Sequence, residues 1–235
     1  MGKCIKLALS TVVLATLPAC VSKGLLTDGT SVSVGTHSRG ALRDAAMLSL
    51  RGEGYRIPQR WAERKRYFGT DELVALVGRV ARKVRRRHRG GLLGVADLSP
   101  RNGGPTPEHG SHRSGRDVDL LYYATDLRGR PIIPQEMIHY DSQGRSVLPT
   151  SAPSQPTKTV APATAPAGAQ SQPALTPSKL DMARNWTMMA SLVTDPEVPV
   201  QWIFIGRRIS RQLLRYAKRK RINKALVERV ALVMR

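Results

Sequence analysis

The sequence predicts an α+β fold: a small antiparallel sheet with flanking helices, broken by a disordered insert. Three observations carry this. Two long stretches repeat apolar residues at helical spacing, while short apolar runs bounded by turn residues read as strands. Between residues 146 and 178 the composition shifts to Pro, Ala, Thr, Ser and Gln, and almost nothing there could be buried. The expected layout is a signal peptide at 1–19, a tether at 20–31, one domain formed by 32–145 and 179–235, and an insert at 146–178.

From Val32 to Gly69 the sequence is loop-like, with scattered anchors at Leu42, Leu48, Leu50, Tyr55, Ile57 and Trp61. Irregular structure wrapping the domain is expected, with His37 on the surface. Thr70 can cap a helix whose first turn carries Asp71 and Glu72. Leu73, Val77, Val80 and Val84 form its inner face. Arg79, Arg82, Lys83 and Arg86 form a solvated one, and Gly90-Gly91 stops it. The run Arg85 to Arg89, His88 included, reads as a solvated helix end.

Leu92 to Leu98 reads as a strand, followed by a Gly/Pro-rich loop from Ser99 to Glu108. Asp117 to Tyr123 is expected to pair with it antiparallel. A third short strand falls at Ile132-Ile133 or near Met137 to Tyr140, with His139 structural. Asp181 caps the next helix, whose apolar stripe is Met182, Trp186, Met189, Leu192 and Val193; its methionines belong to the core. Val198 to Ile205 reads as a strong central strand. Arg207 to Lys218 is a basic helix with Leu213, Leu214 and Ala217 inward, and Asn223 caps a last helix through Leu226, Val230 and Val233.

The formal net charge is +21, which favours anionic partners: nucleic acid, anionic lipid or a carboxylate-bearing cell wall. The amino end narrows the choice. A cationic start, Lys3 to Lys6, precedes an apolar run from Leu7 to Leu17, too short to span a bilayer comfortably. The ending Leu17-Pro18-Ala19-Cys20 resembles the lipobox of bacterial lipoproteins. That resemblance implies a lipid on Cys20 and an exported, periplasmic, membrane-anchored protein. An ordinary secretory signal or a retained anchor is the alternative. Export opposes a nucleic-acid role, as does an aromatic content of 5%.

One run concentrates the chemistry: His109-Gly110-Ser111-His112-Arg113-Ser114-Gly115-Arg116-Asp117-Val118-Asp119. Read as a loop entering a strand, it points Asp117 and Asp119 one way, and Val118, Leu120 and Tyr122 the other, into a core. A bend at Gly115 can return His112 toward Asp119. An imidazole and a carboxylate converging beside open space supply two of the three protein ligands typical of a catalytic zinc site. A solvated loop with turn-capping aspartates is the alternative.

His112-x-x-Gly115-x-x-x-Asp119 resembles the first half of the zinc site in the lysostaphin, D-Ala-D-Ala peptidase and hedgehog-type metallopeptidases. The longer run from His109, with its Asp-Val-Asp ending, is similar to the penicillin-insensitive murein endopeptidases. Tyr67-Phe68-Gly69-Thr70, Asn185-Trp186 and Gln201 to Ile205 extend the similarity, and Gly52-Glu53-Gly54-Tyr55 matches loosely. The resemblance implies a hedgehog/DD-peptidase-like fold, Zn2+ as cofactor, and cleavage of peptide cross-links in peptidoglycan. It implies His112 and Asp119 as ligands, His109 as the catalytic candidate lining the site, and Asp117 and Ser111 as their supporting neighbours. The family completes its site with a late His-x-His pair, whereas no histidine follows His139 here. A C-terminally incomplete family member is therefore expected. The alternative is a non-catalytic cell-wall-binding lipoprotein.

Overall fold

The computed structural model describes residues 25–26, 28–147 and 176–235. The signal segment, Cys20 and nearly all of the insert lie outside the described residues. Five helices, α1 (Gln59–Glu63), α2 (Asp71–Arg87), α3 (Met182–Val193), α4 (Arg207–Arg219) and α5 (Lys224–Val233), surround small sheets of very short strands. The expected α+β class holds. The sheet, however, is divided into several pieces, almost all paired antiparallel.

α2 forms as its sequence dictates. Thr70 Oγ accepts from Leu73 N at 3.3 Å, and Leu73, Val74, Val77, Val80, Ala81 and Val84 are buried along one side. That face packs on α3 and on Leu93, Val95 and Leu98 in one continuous core, which also takes in Leu213, Ala217 and Val230 from α4 and α5. Truncating a fully buried leucine such as Leu48 or Leu98 to alanine is a change of about 2–5 kcal/mol. Asp181 and Asn223 cap α3 and α5 as expected, accepting from Arg184 N at 3.0 Å and Leu226 N at 3.2 Å.

Several expectations need correction. Residues 32–69 are not irregular. They hold a hairpin of Val32–Gly35 with Gly40–Arg43, the strand Ala46–Leu48 and a small hairpin of Arg51–Gly52 with Tyr55–Arg56. Strands of two to four residues are too short to show alternation in sequence. Leu50 is exposed rather than anchored.

Val198 to Ile205 is not a central strand. Its backbone pairing among the described residues is one short parallel contact with residues 233–235: Ile203 N to Val233 O at 2.8 Å, Arg235 N to Ile203 O at 3.0 Å and Ile205 N to Arg235 O at 3.2 Å. Trp202 is 47% and Phe204 80% exposed. The apolar run is read by an open cleft rather than by a second strand.

Arg79 and His88 are not solvated. Arg79 holds Asp195 through two bonds of 2.8 and 2.9 Å and Glu197 at 2.7 Å, tying α2 to the turn after α3. His88 Nε2 meets Thr187 Oγ at 2.8 Å.

The expected antiparallel pairing of 92–98 with 117–123 is present as a backbone ladder. Leu121 N donates to Gly94 O at 2.9 Å, Ala96 N to Asp119 O at 2.9 Å, and Asp119 N to Asp97 O at 2.8 Å. Its side-chain parity differs from the expectation. Leu121 and Tyr123 are the buried residues, while Val118, Leu120 and Tyr122 are half-buried along a cleft. Asn185 secures the far end, accepting from Tyr123 N at 3.0 Å and donating to Tyr123 O at 2.7 Å. Pro131–Ile132 and Lys179–Leu180 flank Ala124–Thr125, and Ser146 N donates to Ser178 O at 2.8 Å. The two ends of the segment between 146 and 178 thus meet.

Candidate metal centre

The ladder brings Asp97 and Asp119 to adjoining backbone positions. On its other edge runs a strap, Tyr67-Phe68-Gly69-Thr70. Leu98 N donates to Arg66 O at 2.8 Å and Ser99 N to Phe68 O at 2.9 Å. The histidine loop then folds back onto this base. Buried Ser99 is the pin: its Oγ donates to His112 O at 2.7 Å and accepts from Gly115 N at 3.0 Å. Thr70 N reaches Gly115 O at 2.9 Å, and Asp117 Oδ2 accepts from His112 N at 3.1 Å.

The bend uses two left-handed residues. Gly115 has φ +74°, and a Cβ there would meet Leu42 at 2.7 Å. His112 itself has φ +62°, a conformation that costs a non-glycine residue about 1–3 kcal/mol. A histidine held there against that cost fits a site that needs its ring in one place.

The result is a cluster in which ligand atoms of His109, His112 and Asp119 all lie within 4.8 Å of one another. His112 Nε2 stands 3.4 Å from Asp119 Oδ1, and the two imidazole rings are 4.9 Å apart. Two ligands at zinc bond lengths and a tetrahedral angle would be about 3.3 Å apart. The spacing and the N/N/O donor set therefore fit a divalent metal. Burial pushes the His112 pKa down, but the Asp119 hydrogen bond, the charges of Asp119 and Asp117, and the Leu98 carbonyl outweigh it. The net shift is upward.

His109 is positioned by a residue that sequence reading missed. Its Nε2 bonds Asp97 Oδ2 at 2.9 Å, and Asp97 is fully buried. Arg64 reaches the same oxygen at 2.9 Å and Arg66 at 3.5 Å, and both arginines also pair with Glu108, beside His109. The available signal was one acid, Asp97, inside the apolar run Leu92 to Leu98. Of the other site candidates, Asp117 holds the His112 backbone and Ser111 lines the cleft. His37 and His139 are exposed along that same cleft, outside the cluster.

The cleft has a volume of about 1720 Å³. One wall carries His112, Asp117 and Asp119. Val198 to Phe204 also line the cleft, together with Arg207 and Arg208.

A family model described as penicillin-insensitive murein endopeptidase matches residues 33–149, which include every residue of this cluster and of the Asp97 network. Residues 33–149 are thus similar to that family. Curated relatives bearing the same family name, from Klebsiella pneumoniae subsp. pneumoniae and Escherichia coli O6:K15:H31, are 29% identical over 126 residues, or 52% of this chain. The match covers 45% of each relative, so under half of a whole family protein is represented in the alignment. The Tyr67 to Thr70 strap and the histidine loop both fall within the matched segment. Asn185 and the Val198 to Phe204 wall lie beyond the matched segment.

Proposed function

We propose that this chain is a zinc-dependent endopeptidase that cleaves peptide cross-links of peptidoglycan. The observation that carries the reading is the His109, His112 and Asp119 cluster at ligand spacing, two of whose members, His112 and Asp119, line a cleft, all within the matched segment. His112 would ligate through Nε2, the nitrogen that faces Asp119. Asp97 Oδ2 accepts the hydrogen bond of His109 Nε2–H, which leaves Nδ1 as the nitrogen with a free lone pair. Zinc bound here supplies a Lewis acid that polarises the scissile carbonyl and acidifies a bound water. The protein's own share is positional. Ser99, Thr70 and Asp117 fix the loop, Asp97 fixes the His109 tautomer, and the cleft walls align an extended peptide across the cluster. Export and a lipid on Cys20, which would place the enzyme at the periplasmic membrane beside its substrate, belong to the same proposal.

The test is zinc stoichiometry of the full chain together with release of muropeptides from purified peptidoglycan. One chelator-removable zinc and chelator-sensitive release are expected. Release indifferent to chelator sinks the mechanism. A second reading is a non-catalytic wall-binding lipoprotein. Retention on peptidoglycan with neither zinc nor cleavage would select it.

A further inference from the structure

α4 carries a cationic face whose first two residues, Arg207 and Arg208, line the cleft and whose other four do not. Arg207, Arg208, Arg211, Arg215, Lys218 and Arg219 are all exposed on this one helix, which contains no acidic residue. At about 100° per residue the six fall within an arc of about 120°, spread over ~18 Å of helix. The opposite side, Ile209, Gln212, Leu213 and Ala217, is buried, so the arc cannot turn inward. None of the six closes an ion pair with a carboxylate among the described residues. Arg208 lies near enough to Asp141 to help hold its carboxyl ionised, and no closer. Lys220 and Arg221 prolong the patch.

Six like charges on one short arc repel each other, and two of them, Arg207 and Arg208, sit at the positive end of the helix dipole. Such an arrangement is a cost to the isolated fold that an anionic partner removes. The arc is convex and nearly straight. Arginine and lysine are its only residues, with no aromatic ring to stack a base and no amide to read an edge. Its chemistry is that of a flat, sequence-free field of negative charge.

We propose that the α4 arc is a docking face for a bilayer surface rich in anionic phospholipid. Juxtamembrane basic clusters gain roughly fivefold in partition per cation at such a surface. The face lies on the body of the domain and would orient the cleft relative to the membrane, independently of any anchor at the amino end.

The experiment is co-sedimentation of the full chain with vesicles, comparing phosphatidylcholine alone with phosphatidylcholine containing one-third phosphatidylglycerol. Binding to the anionic vesicles alone, weakened by salt, is expected. The exposed triple variant R211Q/R215Q/K218Q should lose about a hundredfold in partition while keeping the wild-type circular dichroism and zinc content. Equal binding to neutral vesicles overturns the proposal, as does a folded triple variant that still partitions like wild type. Soluble polyphosphate or duplex DNA binding more tightly than vesicles at equal phosphate would also overturn it, in favour of a polyanion site.

Discussion

The two walls of the cleft are built in opposite ways. On the metal-cluster wall the histidine loop is tied at several points: His112 through both backbone groups, Gly115 through both of its own, His109 through Asp97, and Asp97 through two arginines. The other wall, Val198 to Phe204, is held mainly at its ends. Asp195 and Arg79 secure its start, and contacts with Val233 and Arg235 secure its finish. The difference separates two demands. A ligand cluster needs fixed distances, whereas a wall that receives a variable chain needs contact area and some give.

The largest break comes from the cluster itself. Removing a ligand, His112→Ala or Asp119→Ala, is expected to abolish stoichiometric zinc in the purified full chain, measured by metal analysis after dialysis. Asp119 is only partly buried and its variant should keep the fold, whereas His112 is 3% exposed, so circular dichroism of its variant accompanies the zinc measurement. Full zinc retention in both variants would transfer the site elsewhere. Asp97→Asn is a finer probe. It keeps the shape but removes the carboxylate that fixes the His109 proton. Zinc affinity by chelator competition should fall about 10- to 100-fold, with thermal stability also reduced because Arg64 and Arg66 lose their buried counter-charge.

How much of this contrast could be read in the sequence follows from how local each feature is. The cluster was legible because His112, Gly115 and Asp119 lie within eight consecutive residues, and one turn brings them together. Helices α2 to α5 were legible for the same reason: their caps and apolar faces are local patterns. Asp97 was not, because its partners Arg64, Arg66 and His109 come from different segments that only the ladder assembles. The Val198 to Ile205 wall was misread because an apolar run states only that a segment meets apolar surroundings. It does not say whether those are another strand or an open cleft.

Ser99→Ala tests the pin of the rigid wall. Both bonds of a fully buried hydroxyl are lost, leaving Gly115 N without its partner. A loss of about 1–3 kcal/mol in unfolding free energy is expected, read by denaturant titration, and zinc affinity should fall with it. An unchanged affinity would show that Thr70 and Asp117 alone hold the loop.

Acid sharpens the anchor of the looser wall. Burial raises the Asp195 pKa, but the Arg79 hydrogen bonds, the Glu197 and Val198 N–H groups and the Arg79 charge outweigh it, and the net shift is downward. A carboxyl depressed in the fold contributes stability that is complete above its unfolded value of 3.8 and is lost as pH falls through the lower folded value. Melting temperature measured from neutral pH to about pH 3 should therefore fall less steeply in Asp195→Asn than in wild type, from a lower starting point. Parallel curves would assign the acid transition to other carboxylates, Asp71 first, since its pKa is depressed as well.

The smallest expected change in stability lies at Phe204. Its ring is 80% exposed and stacks only loosely on Trp202, with centroids 6.3 Å apart, so the fold gains little from it. Phe204→Ser should leave the unfolding free energy within about 0.5 kcal/mol of wild type. Its effect belongs to the peptide that the cleft receives. A ring on the other wall of the cleft contacts the bound chain equally before and during the reaction, so its loss weakens binding uniformly. KM should rise about fivefold, the equivalent of ~1 kcal/mol of aromatic contact, with kcat unchanged. A fall in kcat at constant KM would instead mean that this wall closes on the reacting bond, and would erase the division of labour between the two sides.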